Sequence, residues 1–212
     1  MPAPRRGTAV VVAAFVLQAV GLFIVTNIDD IIVLSLFFAR GAGRSGTTAK
    51  ITLGQYLGFG GILAAAVVVA LGARSFLPET AVPYFGLIPL ALGLRAAWQA
   101  WRGADDDDDD DDDERAAGKP ISVLTVAAVT FANGGDNIGV YVPVFATVGT
   151  VGIVAYCVVF LTLIAGLVMA AKFVATRRPI AHRLERWEHV LFPLVLIGLG
   201  LVILVEGGAF GL

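Results

Sequence analysis

The residues best suited to chemistry form a short polar segment, residues 26–30, inside an apolar run from residue 9 to residue 39. A carboxylate at membrane depth costs roughly 2.5–3.5 kcal/mol on insertion scales, so two of them imply a cation, a proton or a water-filled cavity. Capping of a second half-helix is an alternative role, but it accounts for one short polar residue rather than three. The polar side chains of the segment are Thr26, Asn27, Asp29 and Asp30.

A second polar segment, residues 131–139, interrupts the apolar run 121–148. Aligning the two segments places Asp29 on Asp136 and Asp30 on Asn137. A straight helix over residues 9–39 would be roughly 46 Å long, whereas a hydrocarbon core is only ~30 Å thick. We therefore expect both helices to break at their polar segments, the second one at Gly134 and Gly135. Two matching interrupted segments indicate a transporter binding site between repeats.

The groups that the two segments offer are oxygen donors, and no Cys or His lies near either segment. Carboxylates and amide carbonyls suit hard divalent ions such as Mg, Ca or Mn, whereas thiolates and imidazoles select softer ions. We predict one metal site formed by both segments, with Thr26 and Gln55 as secondary candidates. The predicted ligands are Asp29, Asp30, Asp136, Asn27, Asn133 and Asn137.

The composition indicates a helical membrane protein. Hydrophobic residues make up 58% of the 212 residues and charged residues 15%, and apolar runs of about 20 residues, the length of a transmembrane helix, cover most of the chain. We predict an all-α membrane protein with six transmembrane helices. Gly54 and Gly58 permit close helix packing, although glycine is also common in membrane helices. The predicted segments are residues 9–39, 51–73, 82–101, 121–148, 151–176 and 190–205.

A run of nine aspartates, residues 105–113, divides the segments into three plus three. Like charges in such a run are typical of a solvated, disordered linker. The predicted domains are a first three-helix repeat (1–101), an acidic linker (102–120) and a second three-helix repeat (121–212). The first helix of each repeat is interrupted, and because three is odd, the two repeats must insert with inverted orientation.

Lys and Arg predict the orientation in the membrane. Eleven of the fifteen lie on the side of the first, third and fifth loops, and Arg5, Arg6 and Arg74 lie on the other side. The positive-inside rule then places the linker in the cytoplasm and both termini outside. We expect a multi-pass protein of the plasma or inner membrane that contacts lipid and no nucleic acid. Whether the chain forms a homo-oligomer is left open.

Several motifs together resemble one family. They are Thr-Asn-Ile-Asp-Asp at 26–30, Ser-Leu-Phe-Phe at 35–38, Gly-Gln-Tyr-Leu-Gly at 54–58, Gly-Leu-Ile-Pro at 86–89 and Phe-Ala-Asn-Gly-Gly-Asp-Asn-Ile at 131–138, with a similar stretch at 193–200. This set resembles the cadmium-resistance transporter (CadD-like) family of the lysine-exporter-like superfamily. The resemblance extends over all six segments and implies export of cadmium or a related divalent ion. The nine-aspartate run departs from the family's usual linker.

We therefore predict a secondary transporter, not an enzyme, that needs no cofactor and exports divalent cations in exchange for protons. With Asp29 and Asp136 close together in a poorly hydrated cavity, one carboxyl is expected to bind a proton that the metal displaces. The alternative is an exporter of amino acids or other small solutes from the same superfamily. Its zwitterionic substrate would need a cationic partner, and the cores of the predicted helices offer only acids, apart from Arg95 near the end of the third segment. No P-loop motif for ATP is present.

Overall fold

The computed structural model describes residues 6–102, 121–176, 193–205 and 207–209, and the elements within these ranges are all helices. The acidic linker beyond Arg102 and the basic stretch 177–192 lie outside the described residues. A 3₁₀ helix, Glu79–Gly86, connects α3 to α4. The α-helices are α1 (Arg6–Thr26), α2 (Ile28–Arg40), α3 (Thr47–Phe76), α4 (Leu87–Arg102), α5 (Val123–Asn133), α6 (Gly135–Thr147), α7 (Thr150–Val174) and α8 (Pro193–Val205).

Both predicted helix breaks are confirmed. The first lies at Asn27, where α1 and α2 meet at an angle of 54°. The second lies at Gly134, between the end of α5 and the start of α6. Gly135 is the first residue of α6 rather than part of the break itself. Each long apolar run of the sequence is therefore two half-helices that meet at its polar segment.

Helices that are long and apolar enough to span a membrane are confirmed, whereas six spans stay a prediction. Three helices are long and apolar enough to cross a membrane: Thr47–Phe76, Thr80–Gln99 and Thr150–Val174. The bent pair Val10–Thr26 and Ile28–Arg40 raises this number to as many as four. Within the described ranges, α5 and α8 are apolar but shorter than a full span. The break at Gly134 explains the short length of α5, because it divides the fourth apolar run.

The third predicted segment differs at its start, over residues 82–86. We expected one helix over residues 82–101, but the chain forms a 3₁₀ helix up to Gly86 and becomes α-helical from Leu87. Pro83 and Pro89 lack backbone N–H groups, and a proline ring clashes with the carbonyl four residues before it. A proline is tolerated in the first turn of an α-helix, and α4 begins two residues before Pro89.

The core forms where α3 packs against α5 and α6, and where α7 packs against α1 and α2. Six aromatic rings lie at the centre, with centroids of neighbouring rings 5.0 to 6.4 Å apart. They pack between α1, α3, α6 and α7 and hold the two half-helix pairs together. The six rings, which we call the aromatic cluster, are Phe23, Phe59, Tyr141, Phe145, Tyr156 and Phe160.

Glycines bring α3 and α5 into close contact. A Cβ added at Gly54 would lie 2.5 Å from Val126 Cβ, and one added at Gly58 would lie 2.6 Å from Ala127 O. The close packing predicted for this glycine pair is therefore confirmed. It places the polar side chain of Gln55, between the two glycines, against α5.

Candidate functional site

The first turn of α2 carries both carboxylates of the first polar segment, Asp29 and Asp30. The free N–H groups at a helix N-terminus carry a partial positive charge, which stabilises carboxylates there. Asn27 occupies the N-cap position, but its side chain makes no capping hydrogen bond. The capping interpretation is therefore wrong for Asn27, whose side chain bonds elsewhere.

Asn27 and Thr26 connect the first break to α6. The amide Nδ2 of Asn27 donates to Phe23 O at 2.8 Å and to the hydroxyl of Tyr141 at 3.1 Å. Thr26 Oγ1 donates to Leu22 O at 2.9 Å and lies 2.7 Å from Tyr141 Oη. Because these side chains bond to carbonyls of the preceding turn, they compete with the backbone for hydrogen bonds and favour a bend.

Asn133, the last residue of α5, connects the second break to both carboxylates of the first. Its Nδ2 donates to Asp29 Oδ2 at 2.7 Å and to Asp30 Oδ1 at 2.8 Å. Gln55 Nε2 donates to the other oxygen of Asp30, Oδ2, at 2.8 Å. These two amides therefore fix the positions of both carboxylates at the break.

The second polar segment is more open than the first. Asp136 is exposed, and its Oδ1 accepts the backbone N–H of Asn137 at 2.8 Å. Asp29 and Asn133 are half-buried, whereas Asp30 is only 2% exposed. Gly134 is needed for packing, because a Cβ there would clash with the side chain of Ile62 on α3.

Two buried amides are left incompletely bonded. Asn27 is 0% exposed and Asn137 is 1% exposed. Asn27 Oδ1, Asn137 Oδ1 and Asn137 Nδ2 have no hydrogen-bond partner among the described residues. A buried polar atom without a partner costs about 1–3 kcal/mol. The Nδ2 of Asn27 faces the carbonyl of Phe23, which can only accept, so the orientation of this amide is defined and its oxygen is the free end.

Acidic side chains alone do not form a metal site here. Within the described residues, no group of three or more His, Cys, Asp or Glu side chains could hold a metal ion. A cation bound at the two breaks would therefore need amide or backbone oxygens in addition to carboxylates. The two breaks supply such oxygens, as Asn27 Oδ1 and Asn137 Oδ1 show.

A cavity of about 270 Å³ lies beside the aromatic cluster. Its lining includes Phe15 and Gln18 of α1, Thr147 at the end of α6, and Tyr156 of α7. Tyr156 packs against Phe145, which stacks on Tyr141. The aromatic cluster therefore connects this cavity to the polar side chains at the first break.

Sequence reasoning missed two residues of this network, Tyr141 and Thr130. Tyr141 lies four residues after Asn137 and therefore on the same face of α6. Thr130 lies three residues before Asn133, and its Oγ1 donates to Gln55 Oε1 at 2.6 Å. Both were visible as polar side chains in apolar runs one helical turn from a predicted ligand. Gln55, a secondary candidate, is 0% exposed and bonds directly to Asp30.

The family model described as cadmium resistance transporter matches residues 23–212. The chain belongs to the cadmium resistance transporter family. This match covers both helix breaks, all the candidate ligands and the acidic linker. No curated protein and no solved structure matches the chain. As a member of this transporter family, the protein is assigned to metal-ion transport across a membrane.

Proposed function

We propose that this cadmium resistance transporter exports cadmium or a related divalent cation in exchange for protons. The observation that carries the proposal is the contact of Asn133 with both Asp29 and Asp30. It joins the breaks of two separate helices at a pair of carboxylates. Broken helices expose backbone and side-chain oxygens to cations where they line a cavity.

The proposed ligands are the carboxylates of Asp29, Asp30 and Asp136, with the amide oxygens of Asn27, Asn133 and Asn137. The unpartnered oxygens Asn27 Oδ1 and Asn137 Oδ1 support this assignment, because each can still accept a cation. Asn133 presents its Nδ2 to the carboxylates, so its oxygen becomes a ligand only after the amide rotates. The exposed Asp136 is assigned to the water-filled entrance, because carboxylates in spans face cavities rather than lipid.

The proposed architecture is six spans in two inverted repeats, residues 1–101 and 121–212, joined by the linker 102–120. The helix packing supports it: α3 packs on the broken pair α5 and α6, and α7 packs on the broken pair α1 and α2. A two-fold exchange of the repeats interchanges these two sets of contacts. The corresponding third elements also meet, since a Cβ added at Gly200 would lie 2.6 Å from Gly86 O.

In the proposed orientation, both termini lie outside a plasma or inner membrane and the linker lies in the cytoplasm. The cavity beside the aromatic cluster is then on the external side, because it is lined by the first half of α1 and by Thr147 before the turn to α7. The route outward would run from the two breaks past the aromatic cluster to this cavity. One carboxyl of the site, Asp29 or Asp136, would release a proton as the metal binds and take it up again after the metal leaves.

An exporter of amino acids or other small solutes is the second candidate. Its substrate carboxylate needs a cation, and Arg95 is exposed on α4 rather than buried with Asp30. The described network offers carboxylates and amides at the breaks. This chemistry favours a metal cation over a zwitterion.

Inverted membrane vesicles provide the test. Uptake of cadmium, manganese, zinc and calcium is measured with and without a proton gradient, beside vesicles that lack the protein. We expect saturable cadmium uptake that depends on the gradient, together with proton release during uptake. Amino-acid uptake without metal uptake would support the second candidate instead. Metal uptake that is unaffected by collapse of the gradient would contradict proton exchange.

A further inference from the structure

A chain of three buried side chains leads from α5 to the carboxylate of Asp30. Thr130 Oγ1 donates to Gln55 Oε1 at 2.6 Å, and Gln55 Nε2 donates to Asp30 Oδ2 at 2.8 Å. Thr130 and Asp30 are each 2% exposed and Gln55 is 0% exposed. Solvent therefore does not compete for these hydrogen bonds.

The carboxylate of Asp30 and the hydroxyl of Thr130 hold the two ends of the Gln55 amide. An amide has a donor end and an acceptor end, whereas a carboxylate only accepts. While Thr130 donates to Oε1, the N–H end is directed to Asp30 and the carbonyl oxygen is turned away. A cation bound at Asp30 would favour rotation of the amide to present its oxygen, and this rotation would break the hydrogen bond from Thr130 to Oε1.

The glycine pair on α3 brings this chain together. Gly54 and Gly58 flank Gln55, and a Cβ at Gly58 would lie 2.7 Å from Thr130 Cβ. Larger residues would separate α3 from α5 and lengthen the bond from Thr130 to Gln55. The chain of hydrogen bonds thus depends on a close approach that two small residues allow.

We propose that Thr130 positions Asp30 through Gln55 and thereby determines which divalent cation the site prefers. The inference rests on the proposed function. Calcium takes six to eight oxygen ligands. By turning the Gln55 oxygen away, Thr130 withholds one neutral oxygen and disfavours calcium relative to cadmium. Partners of metal ligands orient those ligands and tune the metal site.

The experiment compares Thr130→Val with Thr130→Ser in inverted vesicles, with cadmium and calcium as substrates. Valine keeps the shape but removes the hydroxyl, and serine retains it. For Thr130→Val we expect the KM for cadmium to rise roughly 10-fold, the usual effect of losing a partner of a metal ligand, and the calcium-to-cadmium rate ratio to rise. Thr130→Ser should keep the KM for cadmium and the calcium-to-cadmium rate ratio of the wild type. Thr162→Val is the matched control, because Thr162 is exposed and its hydroxyl donates to Val158 O of its own helix.

Gln55→Met separates positioning from a general loss of packing. It removes the amide oxygen, so we expect a raised KM for cadmium and no gain in calcium transport. The same result is expected for the double variant that combines Gln55→Met with Thr130→Val. If the wild type transports cadmium, and Thr130→Val has the same KM for cadmium and the same calcium-to-cadmium rate ratio as the wild type, the inference is overturned. The proposed function then stays intact. A gain in calcium transport that persists in the double variant overturns it as well. Absence of metal transport in the wild type overturns both.

Discussion

At the scale of single residues, the site combines carboxylates with neutral amide donors. Asn133 donates to one oxygen of Asp30 and Gln55 donates to the other. An amide bonds to a carboxylate through its N–H group and adds no positive charge. These two contacts therefore position the carboxylate without neutralising it.

The first prediction concerns Asp29 and Asp136. Asp29→Asn and Asp136→Asn keep the side-chain shape but remove a charge, so each should abolish metal binding and export driven by a pH gradient. Protein levels in the membrane should stay normal. Binding is measured on the purified variants and export in vesicles. Asp109→Asn, within the aspartate run, is the matched control. Unchanged affinity and pH dependence in both variants would falsify the proposed role of these carboxylates.

The second prediction concerns the hydroxyl of Tyr141, which contacts Thr26 and Asn27. Tyr141→Phe keeps the ring in the aromatic cluster but removes the hydrogen bonds of its hydroxyl with Thr26 and Asn27, and a typical hydrogen bond contributes roughly 0.5–1.5 kcal/mol. We expect a lower unfolding temperature and slower export. Tyr156→Phe is the matched control, since Tyr156 lines the cavity. Equal effects of the two substitutions would argue against a special role of Tyr141.

At the scale of helices, the two breaks have different causes. At the first, Thr26 and Asn27 bond back to Leu22 O and Phe23 O. At the second, Gly134 lets α5 and α6 pack against Ile62. Both breaks thus depend on α3 and α6 as well as on their own sequence, because Tyr141 and Ile62 belong to those helices.

The third prediction tests the contact of α3 with α5. In Gly58→Ala the added Cβ meets Ala127 O and Thr130 Cβ at 2.6 and 2.7 Å, and such overpacking costs roughly 1–3 kcal/mol. We expect a lower unfolding temperature in detergent and reduced export. Gly60→Ala on the same helix is the control, because a Cβ there has no atom within 4 Å. If Gly60→Ala is equally harmful, the close contact with α5 is not the cause, because alanine favours a helix more than glycine does.

At the scale of the whole molecule, the distribution of Lys and Arg predicts the topology. A single cysteine placed at Gly103, in a Cys157→Ala background, should react with a membrane-impermeant thiol reagent added to the cytoplasmic side. The reagent is applied to inverted vesicles and to intact cells in parallel. Labelling from the external side only would contradict the predicted topology.

The aspartate run is predicted to be dispensable for the transport step. It consists of one residue type without turn-forming glycines, so it cannot fix the geometry of metal ligands. Replacing residues 105–113 with a Gly/Ser linker should retain export at saturating metal, when membrane levels are equal. Loss of export under these conditions would show that the run takes part in the mechanism.

The sequence by itself determined the class of the protein, its helical nature and the positions of both breaks. Each of the two hydrophobic runs is too long for one straight span and contains polar residues at one point. The helix is therefore expected to be interrupted at that point. The same reasoning identified Asp29, Asp30 and Asn133 as candidate ligands, and their mutual contact supports the choice.

Only the tertiary structure decided which atoms face each other. It directs Nδ2 of Asn133 to the carboxylates, pairs Gln55 with both Asp30 and Thr130, and brings Tyr141 to the first break. It also replaces the start of the third predicted segment, residues 82–86, with a 3₁₀ helix. These features depend on contacts between residues as far apart as Thr26 and Tyr141, and the periodicity of one helix carries no information about its neighbours.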